Sequence, residues 1–370
     1  MEPPVLCTVS TVKDTPSNLD QFVDRNLRSG ANHMFVFLDA DDPESEALLR
    51  GREHVTVVRT DDAYWAGARP DELTERQVVN ANLVNSLVAL LPSVDWLAHL
   101  DGDECLELDG ASLAGLSADV RALRLATREA VSTEHGTRDV TLFKKKLQPG
   151  RLQRLVRMGL LPEPSNRLWI KGYLHGKSMV RPGLDLGMGI HRASWRDGSD
   201  LEHFRSPEFR VLHYDCVSFE EFVRKWTSHV NGGSTQFRDE RLALFRDFER
   251  LARDPALDED VRRDAFLALY RERVEDQVDR LVGTPFLEEL DEAWHAHEPR
   301  RLPEQDSSDL EKLLPLLASA DKRLLLPRLD PAVTIQEVRR VGEGTEHRLR
   351  HRIDAAAADA AERLASAGHT

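Results

Sequence analysis

The chain has 370 residues, 41% of them hydrophobic, enough to bury one large core or two ordinary ones, and it carries a net charge of −14. That charge argues against a nucleic-acid partner, which would need a strong local basic patch; Lys144-Lys145-Lys146, the lysine run, sits in an alternating segment and reads as a solvated strand edge. No stretch approaches the roughly 20 apolar residues that cross a bilayer, and Met1-Glu2-Pro3-Pro4 lacks the basic start of a signal peptide, so a cytoplasmic protein with no transmembrane segment is expected.

Val5 to Ser10 is short and β-branched and reads as a strand. Ser17 to Ser29 reads as a helix with Ser17 as N-cap; Leu19, Phe22, Val23 and Leu27 share a face, and Gly30 stops it. Met34 to Leu38 is a second strand, ending in Asp39-Ala40-Asp41-Asp42-Pro43. A short helix around Glu44 to Arg50 and a strand from Val55 to Val58 follow. The spacing of Val79, Leu83, Leu87 and Leu90 predicts a longer helix over Asp71 to Leu91, stopped by Pro92. Trp96 to Leu100 is the fourth strand and runs into Asp101-Gly102-Asp103-Glu104. Strands alternating with helices imply a parallel sheet covered on both faces, which binds ligands at the carboxyl ends of its strands. Thr11, Lys13, Asp39, Asp101 and Asp103 all fall at such ends.

From Ala122 the pattern changes. Ala122 to Ala126, Val140 to Lys146, Leu168 to Tyr173, Ser178 to Val180 and Phe209 to Tyr214 read as short strands of a mixed, more antiparallel half. After Ser218 the chain is helical, with candidates at Phe219 to Val230, Asp239 to Arg253, Asp260 to Val282 and Asp330 to Ala367, and a break near Pro299 to Pro303. The fold class expected is α/β: a Rossmann-like nucleotide-binding mixed sheet with helices on both faces, plus a helical C-terminal region. The division expected is a catalytic domain over 1–217, a helical extension over 218–300 and a C-terminal helical segment over 301–370. Ile353-Asp354-Ala355-Ala356-Ala357-Ala358 reads as a solvated helix, with a homo-oligomer contact as its alternative role. Cys7, Cys105 and Cys216 are odd in number and lack metal-ligand spacing, which suits a reducing compartment.

Asp101-Gly102-Asp103-Glu104 is the sharpest chemical feature. Two carboxylates two residues apart, just past a buried strand, reach one point if the strand ends in a turn, and Gly102 permits that turn. Such oxygen ligands suit Mg²⁺ or Mn²⁺, which bridges the phosphates of a nucleoside diphosphate and stabilises the charge a departing diphosphate gains.

The runs Val9-Ser10-Thr11-Val12-Lys13-Asp14 and Asp95-Trp96-Leu97-Ala98-His99-Leu100-Asp101-Gly102-Asp103-Glu104 resemble the bacterial family-2-like glycosyltransferases and the related family 92. Gly176-Lys177-Ser178-Met179-Val180-Arg181-Pro182, then Gly189-Ile190-His191-Arg192, then Leu212-His213-Tyr214 with Ser218-Phe219-Glu220-Glu221-Phe222 and Lys225, are similar to that group's later motifs in the same order. The resemblance covers roughly residues 5 to 230 and implies a GT-A fold, a nucleoside diphosphate sugar as donor and a divalent metal. Cys216 and Val217 stand where the group often has Lys, which leaves the cationic contact to Lys177 or Arg181.

On this reading Asp101 and Asp103 hold Mn²⁺ or Mg²⁺, with His191 as third ligand and His213 as its rival. Asp103, Lys177 and Arg181 serve the departing diphosphate. Asp39 suits the base or ribose of the nucleotide, and Thr11, Lys13, Gln77 and Asn80 face the donor. Glu104, Glu134 and Asp215 are candidates for the base that deprotonates a hydroxyl acceptor, Glu104 being expected to point away from its neighbour Asp103. The alternatives are a metal-dependent sugar-nucleotide phosphohydrolase, a nucleotidyltransferase, or a catalytically silent nucleotide-sugar-binding protein. The absence of glycine from Ser10-Thr11-Val12-Lys13-Asp14-Thr15-Pro16 disfavours nucleotidyl transfer.

Overall fold

The computed structural model describes residues 3–232, 237–290, 297–325 and 331–367. The N-terminal part runs β1 (Leu6–Val12), α1 (Pro16–Arg28), β2 (His33–Leu38), α2 (Pro43–Arg50), β3 (Val55–Arg59), α3 (Asp62–Trp65), α4 (Leu73–Val88), β4 (Trp96–His99), β5 (Glu104–Leu108), α5 (Gly110–Ala114) and β6 (Ala122–Ala130). Next come β7 (Leu142–Lys145), α6 (Pro149–Arg157), α7 (Asn166–Trp169), β8 (Lys177–Val180), β9 (Leu186–Met188), β10 (Ala193–Trp195) and β11 (Phe204–His213). The remainder is α8 (Phe219–Gly232), α9 (Asp239–Arg253), α10 (Glu259–Arg273), α11 (Val278–Leu281), β12 (Leu287–Glu289), α12 (Glu304–Ala318), a 3-10 turn over Lys322–Leu325, α13 (Pro331–Gly342) and α14 (His347–Ala367). Two compact units result, both discontinuous in sequence: one takes residues up to 126, 176–211 and the C-terminal helices, the other 127–175 and 212 to the end of β12.

In the first unit the sheet order is β3-β2-β1-β4-β8-β6. The four strands β3, β2, β1 and β4 are parallel, whereas β8 runs antiparallel to β4 and to β6. The chain steps outward from β1 to β2 and β3, then returns to place β4 on the other side of β1. The carboxyl ends of β1 and β4 therefore flank a topological switch point, where open α/β sheets bind ligands. Side chains alternate between two cores. Cys7, Val9, Phe35, Phe37 and Leu97 face α4 and the C-terminal helices; Leu6, Val12, Met34, Val36, Trp96 and Ala98 face α1 with Leu19, Phe22, Val23 and Leu27. The α/β class, with helices on both faces of a mixed sheet and a helical C-terminal region, is thus what the structure has.

The C-terminal helices complete the first core: Leu310, Leu313, Leu317, Ile335, Val338, Leu349 and Ile353 are buried in it. Arg348 and Arg352 clamp Asp309 at 2.8 and 2.7 Å, and Arg352 also donates to the Leu90 carbonyl at 3.0 Å. Ile353 and Ala357, in the segment considered for an oligomer contact, are covered by this chain itself. In the second unit, Arg128, Glu129 and Ala130 of β6 pair with β7, which pairs with β12, both antiparallel. Phe222, Trp226, Phe248, Phe266 and Tyr270 form the core of α8, α9 and α10.

Several local expectations need correction. The N-cap of α1 is Thr15, which accepts from the Asn18 amide, two residues before Ser17. No strand spans Leu168 to Tyr173: Ser165 caps the short helix α7, and the Trp169 indole is drawn inward to the Lys145 carbonyl at 3.0 Å. The helix expected over Asp260 to Val282 breaks after Arg273, where Val274 and Glu275 both bond the Tyr270 carbonyl and the Asp276 amide turns to Ser132. The terminal helix is two, interrupted where Thr345 bonds back to Gly342, and its expected start at Asp330 lies outside the described residues. Strand β5 and helix α12 were not anticipated. Lys144 is no solvated edge residue, because its side chain is 0% exposed between two carboxylates. Among the described residues, no helix is long and apolar enough to cross a membrane.

Strand β5 depends on Asn26 of α1, whose buried amide donates to the Glu104 carbonyl at 2.9 Å and accepts from the Leu106 amide at 3.0 Å. Asn26→Ala should therefore lower the unfolding free energy by about 3 kcal/mol, since it orphans two buried backbone groups. A loss below ~1 kcal/mol in urea titration, the range of an ordinary exposed bond, would contradict this.

Candidate functional site

β4 ends in the middle of the sheet, and the next residues form a tight turn closed by the Glu104 amide on the Asp101 carbonyl at 3.0 Å. The φ of Gly102 is not positive, and a Cβ there would come within 3.2 Å of the Val12 Cγ1, so a larger residue would require Val12 to yield by a few tenths of an ångström. The turn brings Glu104 back towards Asp101 instead of pointing it away, and the Asp101 amide donates to Glu104 Oε2 at 2.7 Å. Lys177, at the start of β8, closes the arrangement. Its ammonium is 0% exposed, 2.6 Å from Asp101 Oδ2 and 3.2 Å from Glu104 Oε2. Asp101 Oδ1 accepts from Gln77 Nε2 at 2.7 Å.

Burial alone would pull the Lys177 pKa down, but Asp101 and Glu104 outweigh it and hold the ammonium above the usual lysine value. Burial likewise opposes the Asp101 charge, and Lys177 overcomes it, leaving that carboxyl below its usual 3.8. His99, on the core-facing side of the same strand, is pushed down to about 3 by burial and by Lys177, so it is neutral at pH 7.

Helix α4 supplies the polar groups that organise this strand end. Gln77 reaches Asp101, and Asn80 donates to Thr11 Oγ1 at 2.8 Å while accepting from the Tyr64 hydroxyl at 2.5 Å. Asn82 exchanges two bonds with the Met188 backbone, at 2.8 and 2.9 Å, and Asn85 holds Gly183 and Leu186. These bonds fix the segment leading into His191, whose Nδ1 lies 3.1 Å from the Gly176 carbonyl. Gly176 has a left-handed φ of +70°, and a Cβ there would fall 2.0 Å from the Leu125 carbonyl oxygen, which explains glycine before Lys177.

The expected residues divide accordingly. Asp101, Asp103, Gln77, Thr11, Lys177 and His191 all belong to the first unit, and Gln77 and Lys177 both bond Asp101. Lys13 is exposed just past β1. Asp39 is bound by Arg76 at 2.8 and 2.7 Å and by Arg69 at 3.1 Å, so protein cations already occupy the carboxylate expected to meet the nucleotide. Arg181 is not brought to Asp101: it follows the opposite end of β8, stacks on the Trp96 ring with 4.4 Å to the centroid and donates to the Val120 carbonyl at 3.1 Å. His213 belongs to the second unit, 3.8 Å from Glu129 and with its ring tilted against Tyr173, 4.8 Å between centroids.

That second unit holds an ionic cluster of its own. Lys144 pairs with Glu129 at 3.0 Å and Asp276 at 2.9 Å, and Lys171 pairs with Asp276 at 3.0 Å. Asp215 is clamped by Lys225 and by Arg241 at 2.7 Å. Although burial opposes the charge, these cations hold the Asp215 carboxyl well below the usual range. Three candidates for the general base are thus tied up: Glu104 on Lys177, Asp215 on two cations and Glu134 on Arg271 at 2.5 Å. A carboxylate so paired is a weak base.

A divalent cation fits these residues unevenly. Asp101 gives both oxygens to protein donors, and a buried ammonium 2.6 Å away competes with any metal there. Asp103, in the turn itself, has a partly exposed carboxylate of the hard-oxygen type that Mg²⁺ and Mn²⁺ prefer. Sequence reasoning missed His99, the Asp39–Arg76 pair and the roles of Asn82 and Asn85. The last had a signal: three asparagines in an otherwise apolar stretch of helix.

Lys177→Met leaves the buried Glu104 carboxylate and the partly exposed Asp101 carboxylate without their counter-charge and should cost about 3 kcal/mol at pH 7. In the native protein the depressed Asp101 pKa contributes stability that is present above 3.8 and lost as pH falls through the lower folded value. In the variant the orphaned carboxyls are raised by burial, so its deficit should shrink between pH 7 and pH 5. A deficit that stays constant over that range would contradict the pairing.

No protein-family model matches the chain, and no curated protein does. Among solved structures it is similar to a Bacillus anthracis protein assigned as a glucose-1-phosphate thymidylyltransferase, in complex with a sucrose, at 9% identity over 49% of this chain and 73% of that one, with a TM-score of 0.26. It is also similar to a mannose-1-phosphate geranyltransferase from Thermus thermophilus, at 10% identity over 74% of this chain and 71% of that one, with a TM-score of 0.24.

Proposed function

We propose that the chain is a metal-dependent glycosyltransferase of the GT-A type, moving a sugar from a nucleoside diphosphate sugar to an acceptor hydroxyl with inversion. The observation that carries this reading is the Asp101–Glu104 turn, set at the switch point between β1 and β4 and anchored from below by Lys177. The ordered motifs of the family-2-like resemblance agree with it, as does the loop between β1 and α1, residues 13–15, which has no glycine for a nucleotidyltransferase-type phosphate cradle.

The roles follow from the geometry. Asp103, with His191 as third ligand, would hold Mg²⁺ or Mn²⁺, which would supply charge stabilisation to the departing diphosphate. Asp101 orients the turn and, through its remaining lone pairs, offers acceptors to a ribose hydroxyl or a metal-bound water. Lys177 sustains Asp101 and does not itself reach for phosphate. Lys13, exposed at the end of β1, is the expected cation best placed to meet the donor. Thr11, fixed by Asn80, lines the nucleoside end, and Asp39 acts by holding Arg69 and Arg76 at the end of β2. The catalytic unit of the proposal is residues 1–217, with 218–300 and 301–370 as helical additions.

Thermal shift with nucleoside diphosphates and their sugars tests the reading. One of them at a hundred times its Kd should stabilise the protein by about 2.7 kcal/mol, only with Mn²⁺ or Mg²⁺ present. Asp103→Asn should abolish the metal-dependent part, and His191→Gln should weaken Mn²⁺ binding by about tenfold or more. No shift with any nucleotide in the presence of metal, or an unchanged shift in Asp103→Asn, would overturn it.

A further inference from the structure

Three consecutive residues at the start of β8, Gly176-Lys177-Ser178, reach two separate parts of the first unit. Lys177 lies 2.6 Å from Asp101 Oδ2 and 3.2 Å from Glu104 Oε2, the carboxylates that bracket Gly102 and Asp103 in the turn. The residues on either side of Lys177 both hold His191. The Gly176 carbonyl accepts from His191 Nδ1 at 3.1 Å, and Ser178 Oγ donates to the His191 carbonyl at 3.1 Å. One strand end is therefore bonded to the turn that contains Asp103 and to the loop that contains His191.

That loop is a hairpin tip between β9 and β10, where Met188 pairs with Ala193. Its four residues, Gly189-Ile190-His191-Arg192, are closed by the Gly189 amide on the Arg192 carbonyl at 2.9 Å, and a Cβ on Gly189 would fall 2.7 Å from that oxygen. At one end Asn82 takes both backbone groups of Met188. At the other the Ala193 amide is shared between Ser178 Oγ at 3.1 Å and His203 Nε2 at 3.3 Å. His203 Nδ1 donates to the Leu201 carbonyl at 2.9 Å, which makes Nε2 the acceptor that the Ala193 amide requires. Loop tips are ordinarily the mobile part of a fold. This one is tied by side chains from α4, from β8 and from the residue before β11.

The His191 ring is held as closely as its backbone. A carbonyl only accepts, so in the neutral imidazole the proton sits on Nδ1 and the lone pair on Nε2. A backbone carbonyl on one ring nitrogen is the usual way of presenting the other to a metal. We propose that Gly176, Ser178 and His203 are positioning residues for a divalent cation, which hold His191 so that Nε2 is its ligand atom. Lys177 ties the turn containing Asp103 to the same strand end. This rests on the metal-dependent reading above, and it gives the Gly176-Lys177-Ser178 motif a role in which none of its side chains meets the phosphates.

Nitrogen NMR of the full chain labelled at histidine tests the ring, and electron paramagnetic resonance with Mn²⁺ tests the site. At pH 8 without metal, His191 should carry its proton on Nδ1, and added Mn²⁺ should broaden Nε2 before Nδ1. His203→Leu removes the acceptor from the Ala193 amide and should weaken Mn²⁺ binding by about tenfold or more. His203→Gln, whose side-chain oxygen offers an acceptor there, should recover most of that loss. Ser178→Ala should weaken Mn²⁺ binding in the same way, and it gives the same comparison if His203→Leu does not fold. A proton on Nε2 of His191, earlier broadening of Nδ1, or wild-type Mn²⁺ affinity in the folded variants would overturn the proposal and leave the metal-dependent reading intact. Absence of Mn²⁺ binding by the wild type, with every nucleoside diphosphate tested, would instead overturn that reading and the positioning role with it.

Discussion

One buried ammonium organises the strand ends. Lys177 lies between Asp101 and Glu104 without access to water, a position that is tolerable only because both carboxylates are within ion-pair distance. Those carboxylates come from either end of one turn, so the lysine simultaneously ties the turn to itself and to β8. Remove the charge and the turn loses its shape; remove the turn and the lysine is an isolated buried cation.

Around this pair the first unit is built by polar groups on the buried part of α4. Gln77, Asn80, Asn82 and Asn85 each spend their hydrogen bonds on a different strand or loop: the Asp101 turn, the end of β1, β9 and the loop before it. Burying an amide costs free energy unless every bond is met. Each of these four amides is anchored by at least one such bond, and the bonds set where each strand end sits. The C-terminal helices then seal α4 from outside through Leu310, Leu313 and Ile353, so the far end of the chain contributes to the rigidity of the strand ends.

Much of this was legible in the residues. Short apolar runs located β1, β2 and β4, which are buried on both faces, and the stripe of Leu19, Phe22, Val23 and Leu27 located α1 to within a few residues. The Asp101 cluster was legible because acidic residues after a buried strand have few reasons to be there. What could not be read was pairing. Lys144, Lys177 and Asp39 look in sequence like surface or ligand-facing charges, and only the fold shows that each is neutralised by residues distant along the chain. The strand expected at Leu168 to Tyr173 failed for a similar reason: a buried Trp169 indole and a backbone bonded to Glu129 replaced the ladder that its composition suggested. Arg181 shows the limit of motif spacing, since four residues along a strand carry a side chain about 13 Å away.

The central claim is that this strand end serves glycosyl transfer, and product analysis by phosphorus NMR tests it most directly. The protein, Mn²⁺, a nucleoside diphosphate sugar and a mixed pool of hydroxyl acceptors, acidic ones included, should yield nucleoside diphosphate and a new glycoside in equal amounts. Pyrophosphate formed from a nucleoside triphosphate and a sugar phosphate, nucleoside monophosphate with sugar phosphate, or no turnover of any bound donor would contradict the account.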